Sequence, residues 1–215
     1  MRSIAIVNQK GGCGKTTTAV NLSSILADAG QRVLLVDCDP QSHASMGLGL
    51  ETDHLERSTY DLLMDPSLHV SDVAVPVTDT LDVVPSNVVL SAVEQQLSGR
   101  ADRENKLRRK LDESEADYDY TFIDCPPSVG LLTFNAIVAA SEAIVVMEPS
   151  YYSLHGAMKV METIGLVRSQ LGMSKRVRVL LTMYDGRTRF AREFLREARA
   201  RFGREMFENT IRNTI

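Results

Sequence analysis

The chain has 215 residues, 44% hydrophobic and 24% charged, which suits one sizeable α/β core and is too short for two full enzyme domains. No apolar run approaches the ~20 residues needed to cross a bilayer, and Cys13, Cys38 and Cys125 lie far apart without CxxC spacing, so a membrane span, a signal peptide, a disulfide framework and a structural zinc site are all excluded from the expectation, which is a cytoplasmic protein. The net charge of −4 hides a split: residues 1–158 hold 11 Lys/Arg against 22 Asp/Glu, and residues 159–215 hold 13 against 6.

In chain order, an apolar run at 4–7 predicts a buried strand, followed by Lys10-Gly11-Gly12-Cys13-Gly14-Lys15-Thr16-Thr17 and a helical pattern over 16–29. Strand, glycine-rich loop and helix in that order form a phosphate-binding loop. Glycines let backbone N–H groups curl around phosphate oxygens, Lys15 adds a point charge, and Thr16 offers a hydroxyl to Mg²⁺ at the helix N-terminus. The expected ligand is a nucleoside triphosphate. Lys10 is a second lysine for which a loop that only holds phosphate has no use. Gly30 fits the C′ position of the helix, and Val20, Ile25, Leu26 and Ala29 are expected on its buried side.

A second run at 33–36 ends in Asp37-Cys38-Asp39-Pro40, where Asp39 is placed to position water. Residues 47–77 show weak periodicity and are expected to be loop-rich, with one short helix at 59–64; His43, His54 and His69 are expected at the surface. A strand at 81–84 and helices at 88–97 and 103–111 follow. The next strand, 121–123, ends in Asp124-Cys125-Pro126-Pro127, the position of a Walker B metal partner. A helix at 131–140, a strand at 143–147, a helix at 154–170, a strand at 177–181 and a helix at 189–201 complete the pattern. This alternation predicts a doubly wound α/β fold, a mostly parallel sheet with helices on both faces, and with the phosphate loop it makes residues 1–215 one P-loop NTPase domain. Strand ends gather around the ligand crevice of such a sheet, so Asp37, Asp39 and Asp124 are expected to converge on Mg²⁺ and the γ-phosphate. Any one of these acids, taken alone, equally suits a turn or a helix cap.

The basic excess centres on Arg187, Arg189, Arg192, Arg196, Arg199, Arg201 and Arg204. Glu193 and Glu197 can pair locally, with Arg196 and Arg201 for example, but two carboxylates do not neutralise seven guanidinium groups, which points to a polyanion surface. Phe190, Phe194, Leu195, Ala198 and Phe202 are expected to form the core-facing stripe of the last helix.

The segments KGGCGKTTT, VDCDPQ, FIDCPPSVGLLTFNAI, YYSLHG and LTMYDGRT together resemble the ParA/Soj partition ATPases, within the ParA/MinD group that has a deviant Walker A loop. The resemblance implies an ATP-dependent homodimer in which Lys10 contacts the phosphates of the opposite subunit. Lys15 and Thr16 would act on ATP and Mg²⁺ in their own subunit, with Gly11, Gly12, Cys13, Gly14, Thr17 and Met183 also holding the nucleotide. Asp39 would position the attacking water and contribute with Thr16 and Asp124 to the metal site. It further implies non-specific binding of double-stranded DNA through Arg187, Arg189 and Arg212. A ParB-like partner would stimulate slow hydrolysis, a chromosome, plasmid or protein assembly would be the cargo, and the protein would sit on the nucleoid rather than a membrane. The chain departs from the family in stopping short of a usual C-terminal segment, in having Ser150 where many members have Glu, and in having Cys13 where Val is common. Cys13 is either a small apolar filler or a redox-sensitive thiol whose pKa the phosphate nest lowers. The competing assignment is a MinD-like membrane-associated positioning ATPase with an amphipathic basic helix; the lack of suitably placed extra cysteines makes an iron–sulfur relative remote.

Overall fold

Strands β1 (Arg2–Val7), β2 (Val33–Asp37), β5 (Tyr120–Asp124) and β6 (Glu142–Met147) are buried on both faces along almost their whole length, and their sequences are accordingly continuous apolar runs. The computed structural model describes residues 1–114, 117–171 and 176–213. With β3 (Val75–Thr78), β4 (Leu81–Val84) and β7 (Arg176–Leu181) these strands form one seven-stranded sheet, in the order β3-β4-β2-β5-β1-β6-β7. All neighbours pair in parallel except β3 with β4.

The helices are α1 (Lys15–Asp28), α2 (His43–Gly47), α3 (Thr59–Met64), α4 (Val93–Gln96), α5 (Lys106–Glu113), α6 (Leu131–Ala139), α7 (Ser153–Leu171) and α8 (Arg189–Phe202). They cover both sheet faces. On one face Ile4, Ile6, Leu35 and Phe122 pack against Ala19 and Ala27 of α1. On the other, Val7, Val36, Ile123 and Val179 meet Leu62, Leu107, Ile137, Val160 and Phe194 of α3, α5, α6, α7 and α8. The expected doubly wound sheet is therefore observed.

Several local expectations are corrected. The excursion at 47–77 contains not only α3, which begins with a Ser58–Asp61 capping box, but also the antiparallel edge strand β3. The pattern at 88–97 begins as a 3-10 turn over Val88–Ala92 before α4, and that at 103–111 as a 3-10 turn over Arg103–Asn105 before α5. In α1 the buried positions are Lys15, Thr18, Ala19, Ser23 and Ala27; Ile25 is 62% exposed and Ala29 is exposed, while Val20 and Leu26 are half-buried. Small side chains let this helix lie close against the sheet, which moves the bulky ones to its flanks. Gly30 does close α1 with φ of 81°, and its N–H donates to the Ala27 carbonyl at 2.9 Å. In α8 the core side is Ala191, Phe194, Ala198 and Phe202, with Leu195 half-buried and Phe190 50% exposed.

Candidate nucleotide-binding site

The register aligns Asp124 with Ile6 on one side and with Asp37 on the other, so the loops leaving β1, β2 and β5 emerge together at one end of the sheet. Between them opens a cleft of about 610 Å³. Gly11, Gly12, Gly14, Lys15, Thr16 and Thr17 form one wall of this cleft, and Asp39 and Met183 also line it.

The loop has the backbone that phosphate binding requires. Gly12 and Gly14 sit at φ of 75° and 88°, in the left-handed region that glycine adopts without penalty. Gly14 caps α1 with no side-chain hydrogen bond, and no acidic residue occupies the first turn, so the N–H groups at this positive end of the helix are left for an anion. Behind the loop, the Thr182 hydroxyl lies 2.7 Å from the Cys13 carbonyl and 3.1 Å from the Met147 carbonyl, tying the loop to the ends of β6 and β7. Lys15 is 6% exposed and its ammonium donates to the Lys10 carbonyl at 3.0 Å.

Cys13 does not face the cleft. It is fully buried among Ile4, Ile6 and Val146, and burial pushes its thiol up, which replaces the idea of a lowered, reactive pKa with that of an apolar filler. Lys10 lies outside the cradle as well. Its ammonium is bound to the Glu148 carboxylate and donates to the Ser150 hydroxyl at 2.9 Å. Directly after Ser150, Tyr151 and Tyr152 are 83% and 75% exposed.

The three acids of the strand ends divide into different tasks. The expected convergence of Asp37 is not observed: its Oδ2 accepts from the Ser45 N–H at 2.9 Å and hydroxyl at 2.7 Å, and its Oδ1 from the Asp39 N–H at 3.1 Å. Burial raises its carboxyl above the usual range, and these bonds fix β2 to α2. Asp39 is 7% exposed, and its Oδ1 accepts the Gln41 N–H at 2.9 Å, which orients the carboxylate in the cleft wall. Asp124 is fully buried, and neither of its oxygens has a hydrogen-bond partner among the described residues. Burial, reinforced by the nearby Asp37, pushes its carboxyl up to about 7 against the opposing pull of the Thr16 hydroxyl and the Lys15 ammonium. A buried carboxylate left unpartnered beside the hydroxyl of a phosphate loop fits a divalent cation as its missing counter-charge.

Sequence reasoning missed Gln41, His43 and Pro127 in the cleft wall, and Thr182 and Glu148 behind it. Gln41 and Pro127 sit inside motifs that had been singled out for their acids. Glu148 meets Lys10 across 138 residues, a pairing that no local pattern signals. The surface arginines lie apart from the cleft: Arg187 is ion-paired with Asp185 at 2.8 Å, and Arg189 with Glu193 at 2.7 Å. The latter replaces the expected Glu193–Arg196 pair. Arg212 borders a neighbouring apolar groove of about 610 Å³, between α1 and the end of β7, which shares Gly14 and Met183 with the cleft. Met183 adopts φ of 50°, a left-handed conformation unusual for a side-chain-bearing residue.

A parallel sheet with a glycine-rich loop between β1 and α1 and acids at neighbouring strand ends defines a P-loop NTPase. A family model described as an AAA domain matches residues 1–178. The chain is 40% identical to the sporulation initiation inhibitor protein Soj of Bacillus subtilis, covering 99% of this chain and 84% of Soj. It is 41% identical to the chromosome partitioning protein ParA of Myxococcus xanthus, covering 100% of this chain and 76% of ParA. It also resembles the crystal structure of cobyrinic acid a,c-diamide synthase from Mycobacterium smegmatis with bound ADP and magnesium, with a TM-score of 0.93 and 34% identity over 99% of this chain and 87% of that one. The chain belongs to the ParA/Soj family of partition ATPases. No helix among the described residues is long and apolar enough to cross a membrane.

Proposed function

We propose that this chain is a single-domain ATP-dependent dimerising switch that binds DNA without sequence preference and hydrolyses ATP slowly to segregate or position a chromosome, plasmid or protein cargo. One observation carries the reading: the second loop lysine, Lys10, is not used in its own phosphate cradle and is held by Glu148 and Ser150 beside two exposed tyrosines. A charge stored at an exposed aromatic edge suits a partner subunit's phosphates. Gly11, Gly12, Gly14, Lys15, Thr16 and Thr17 would hold ATP, with Met183 near its base, and Thr16, Asp39 and Asp124 would form the Mg²⁺ side. Mg²⁺, when bound there, would offset the charge of the phosphates. Phosphoryl transfer depends on positioning and charge stabilisation, so a site that still needs a second subunit and a ParB-like partner turns over slowly.

The basic excess on α8 supports DNA as the polyanion, and thereby nucleoid association. Arg189, Arg192, Arg196 and Arg199, at i, i+3, i+7 and i+10, share one exposed side of the helix, opposite Phe194, Ala198 and Phe202. Arg192 and Arg199 donate to backbone carbonyls, which leaves their charge unneutralised, and Arg196 has no ion-pair partner among the described residues. Arg187, by contrast, is already gripped by Asp185, whose carboxyl it holds down at about 2. Arg189 is likewise paired, with Glu193, so Arg192, Arg196 and Arg212 are the proposed contacts, and Arg187 and Arg189 are expected to contribute less.

The test is duplex binding by the Asp39→Ala protein with ATP and with ADP, at two salt concentrations, with liposomes as the alternative surface. Salt-sensitive binding to unrelated duplexes in ATP alone is the expected result; binding to liposomes and not DNA would replace this function with the membrane-associated one. Arg196→Ala is expected to weaken every duplex alike and to reduce the log–log salt slope by about 0.9 per lost phosphate contact. Weakening at a single DNA sequence would contradict a backbone-contact surface.

A further inference from the structure

Helix α6 begins seven residues after Asp124, and its first turn contains no acidic residue of its own. Its N-cap is Gly130, which provides no side-chain bond. The missing anion comes from another element: Oε1 of Glu94, in α4, accepts the Leu131 N–H at 2.7 Å. A carboxylate at a helix N-terminus meets both an unpaired donor and the positive end of the helix dipole. The fit is tight, because a Cβ at Gly130 would lie 2.0 Å from that same oxygen. A Cβ at 130 would therefore push this flexible, exposed carboxylate off its present position, while the backbone there, at φ of −112°, does not itself require glycine.

The segment between Asp124 and Gly130 has little freedom of its own. At its start the Asp124 carbonyl accepts the Cys38 N–H at 2.9 Å, holding β5 to the loop after β2. Pro126 and Pro127 follow, with φ fixed by their rings, and Pro127 lines the nucleotide cleft. At its end the Thr133 hydroxyl donates to the Ser128 carbonyl at 2.6 Å, and the Phe134 N–H to the Gly130 carbonyl at 3.0 Å. A short, stiff strap thus runs from the unpartnered carboxylate to the start of α6, and Glu94 holds its far end from outside. Glu94 is itself exposed, at the edge of a separate groove of about 600 Å³ floored by Phe134 and Val138.

We propose that Glu94 is a positioning residue for the metal side of the nucleotide site: by fixing the N-terminus of α6 it sets where the strap holds Asp124 and Pro127. The proposal rests on the Mg²⁺-ATP reading of the cleft. A group that only orients a metal acid affects the metal-dependent part of nucleotide affinity and not the part supplied by the phosphate loop.

The experiment measures the affinity of a fluorescent ADP in EDTA and in Mg²⁺, for the wild type, Glu94→Ala, Glu94→Gln, Gly130→Ala and the Glu94→Ala/Gly130→Ala double variant. Glu94→Ala is expected to lower the Mg²⁺ enhancement by about tenfold with affinity in EDTA unchanged. Glu94→Gln, whose amide oxygen still accepts the Leu131 N–H, retains most of the enhancement. Gly130→Ala displaces the carboxylate and reproduces the loss, and the double variant is no worse than Glu94→Ala, since both act through one contact. A wild-type Mg²⁺ enhancement in Glu94→Ala, or an equal loss with and without Mg²⁺, overturns the proposal. A wild type with no Mg²⁺ enhancement overturns the Mg²⁺-ATP reading first, and the role of Glu94 with it.

Discussion

Replacing Asp39 with Ala is expected to lower ATP turnover by about a hundredfold or more while ATP remains bound. In the proposed mechanism the cleft would separate holding the nucleotide from attacking it. The glycine loop, Lys15 and the open N-terminus of α1 face the phosphates from one wall, whereas Asp39 enters from the loop after β2. Its Oδ1 is fixed by the Gln41 N–H, and Oδ2 has no hydrogen-bond partner among the described residues. One oriented oxygen and one available oxygen suit a group that aligns water. Removing this carboxylate leaves the glycine loop, Lys15, Thr16 and Asp124 in place, so ATP should stay bound and the ATP-bound dimer should accumulate. Lys15→Ala is the counterpart, losing nucleotide binding and with it the dimer. Single-turnover hydrolysis and equilibrium ATP binding on the two variants separate the roles; wild-type turnover in Asp39→Ala would remove Asp39 from the mechanism.

What could be read in the sequence was what is locally encoded. Strands buried on both faces announce themselves as continuous apolar runs, and the phosphate loop as glycines at fixed distances from a lysine and a threonine. The acids Asp39 and Asp124 were visible because a strand pattern ends just before each of them. Strand β3 was not visible: it has four residues, alternates half-buried and exposed, and contains Pro76, which only an edge strand tolerates. The face of α1 was misjudged because apolar periodicity weights large side chains, and this helix approaches the sheet through Ala19, Ser23 and Ala27. Phe190 followed the same periodicity but stands at the first turn of α8, where the core no longer covers it. Asp37 looked equivalent to its neighbours until Ser45, eight residues on, occupied it. The contacts of Lys10 with Glu148 and of Leu131 with Glu94 depend on tertiary proximity, and pattern reading has no access to that.

Asp124→Asn should make the nucleotide-free protein more stable at pH 8 and less able to use Mg²⁺. The wild-type carboxyl ionises near 3.8 when unfolded and is pushed up to about 7 in the fold, because burial and the nearby Asp37 penalise the charge more than Thr16 and Lys15 favour it. Between those values the folded chain holds one proton more than the unfolded chain, so the stability of the free protein falls as pH rises from about 4 to about 7 and then levels off. Asparagine carries no charge to bury and abolishes that fall. The gain at pH 8 should be on the order of 2 kcal/mol, smaller than the full pKa difference would give, since a buried amide without partners retains its own desolvation cost. At pH 5 the unfolded carboxyl is ionised and the native one still protonated, so the wild-type fall is only partly complete and the gain from asparagine should be smaller than at pH 8. Denaturant unfolding at the two pH values measures this directly, and equal stability at pH 8 would mean that Asp124 has a partner in solution. The same substitution should reduce the Mg²⁺ enhancement of nucleotide affinity by about tenfold or more, because the charge that destabilises the free fold is the one a divalent cation neutralises. If Asp124 holds Mg²⁺, stability lost without nucleotide and metal affinity gained with it would have a single source, a buried carboxylate whose charge the cation offsets.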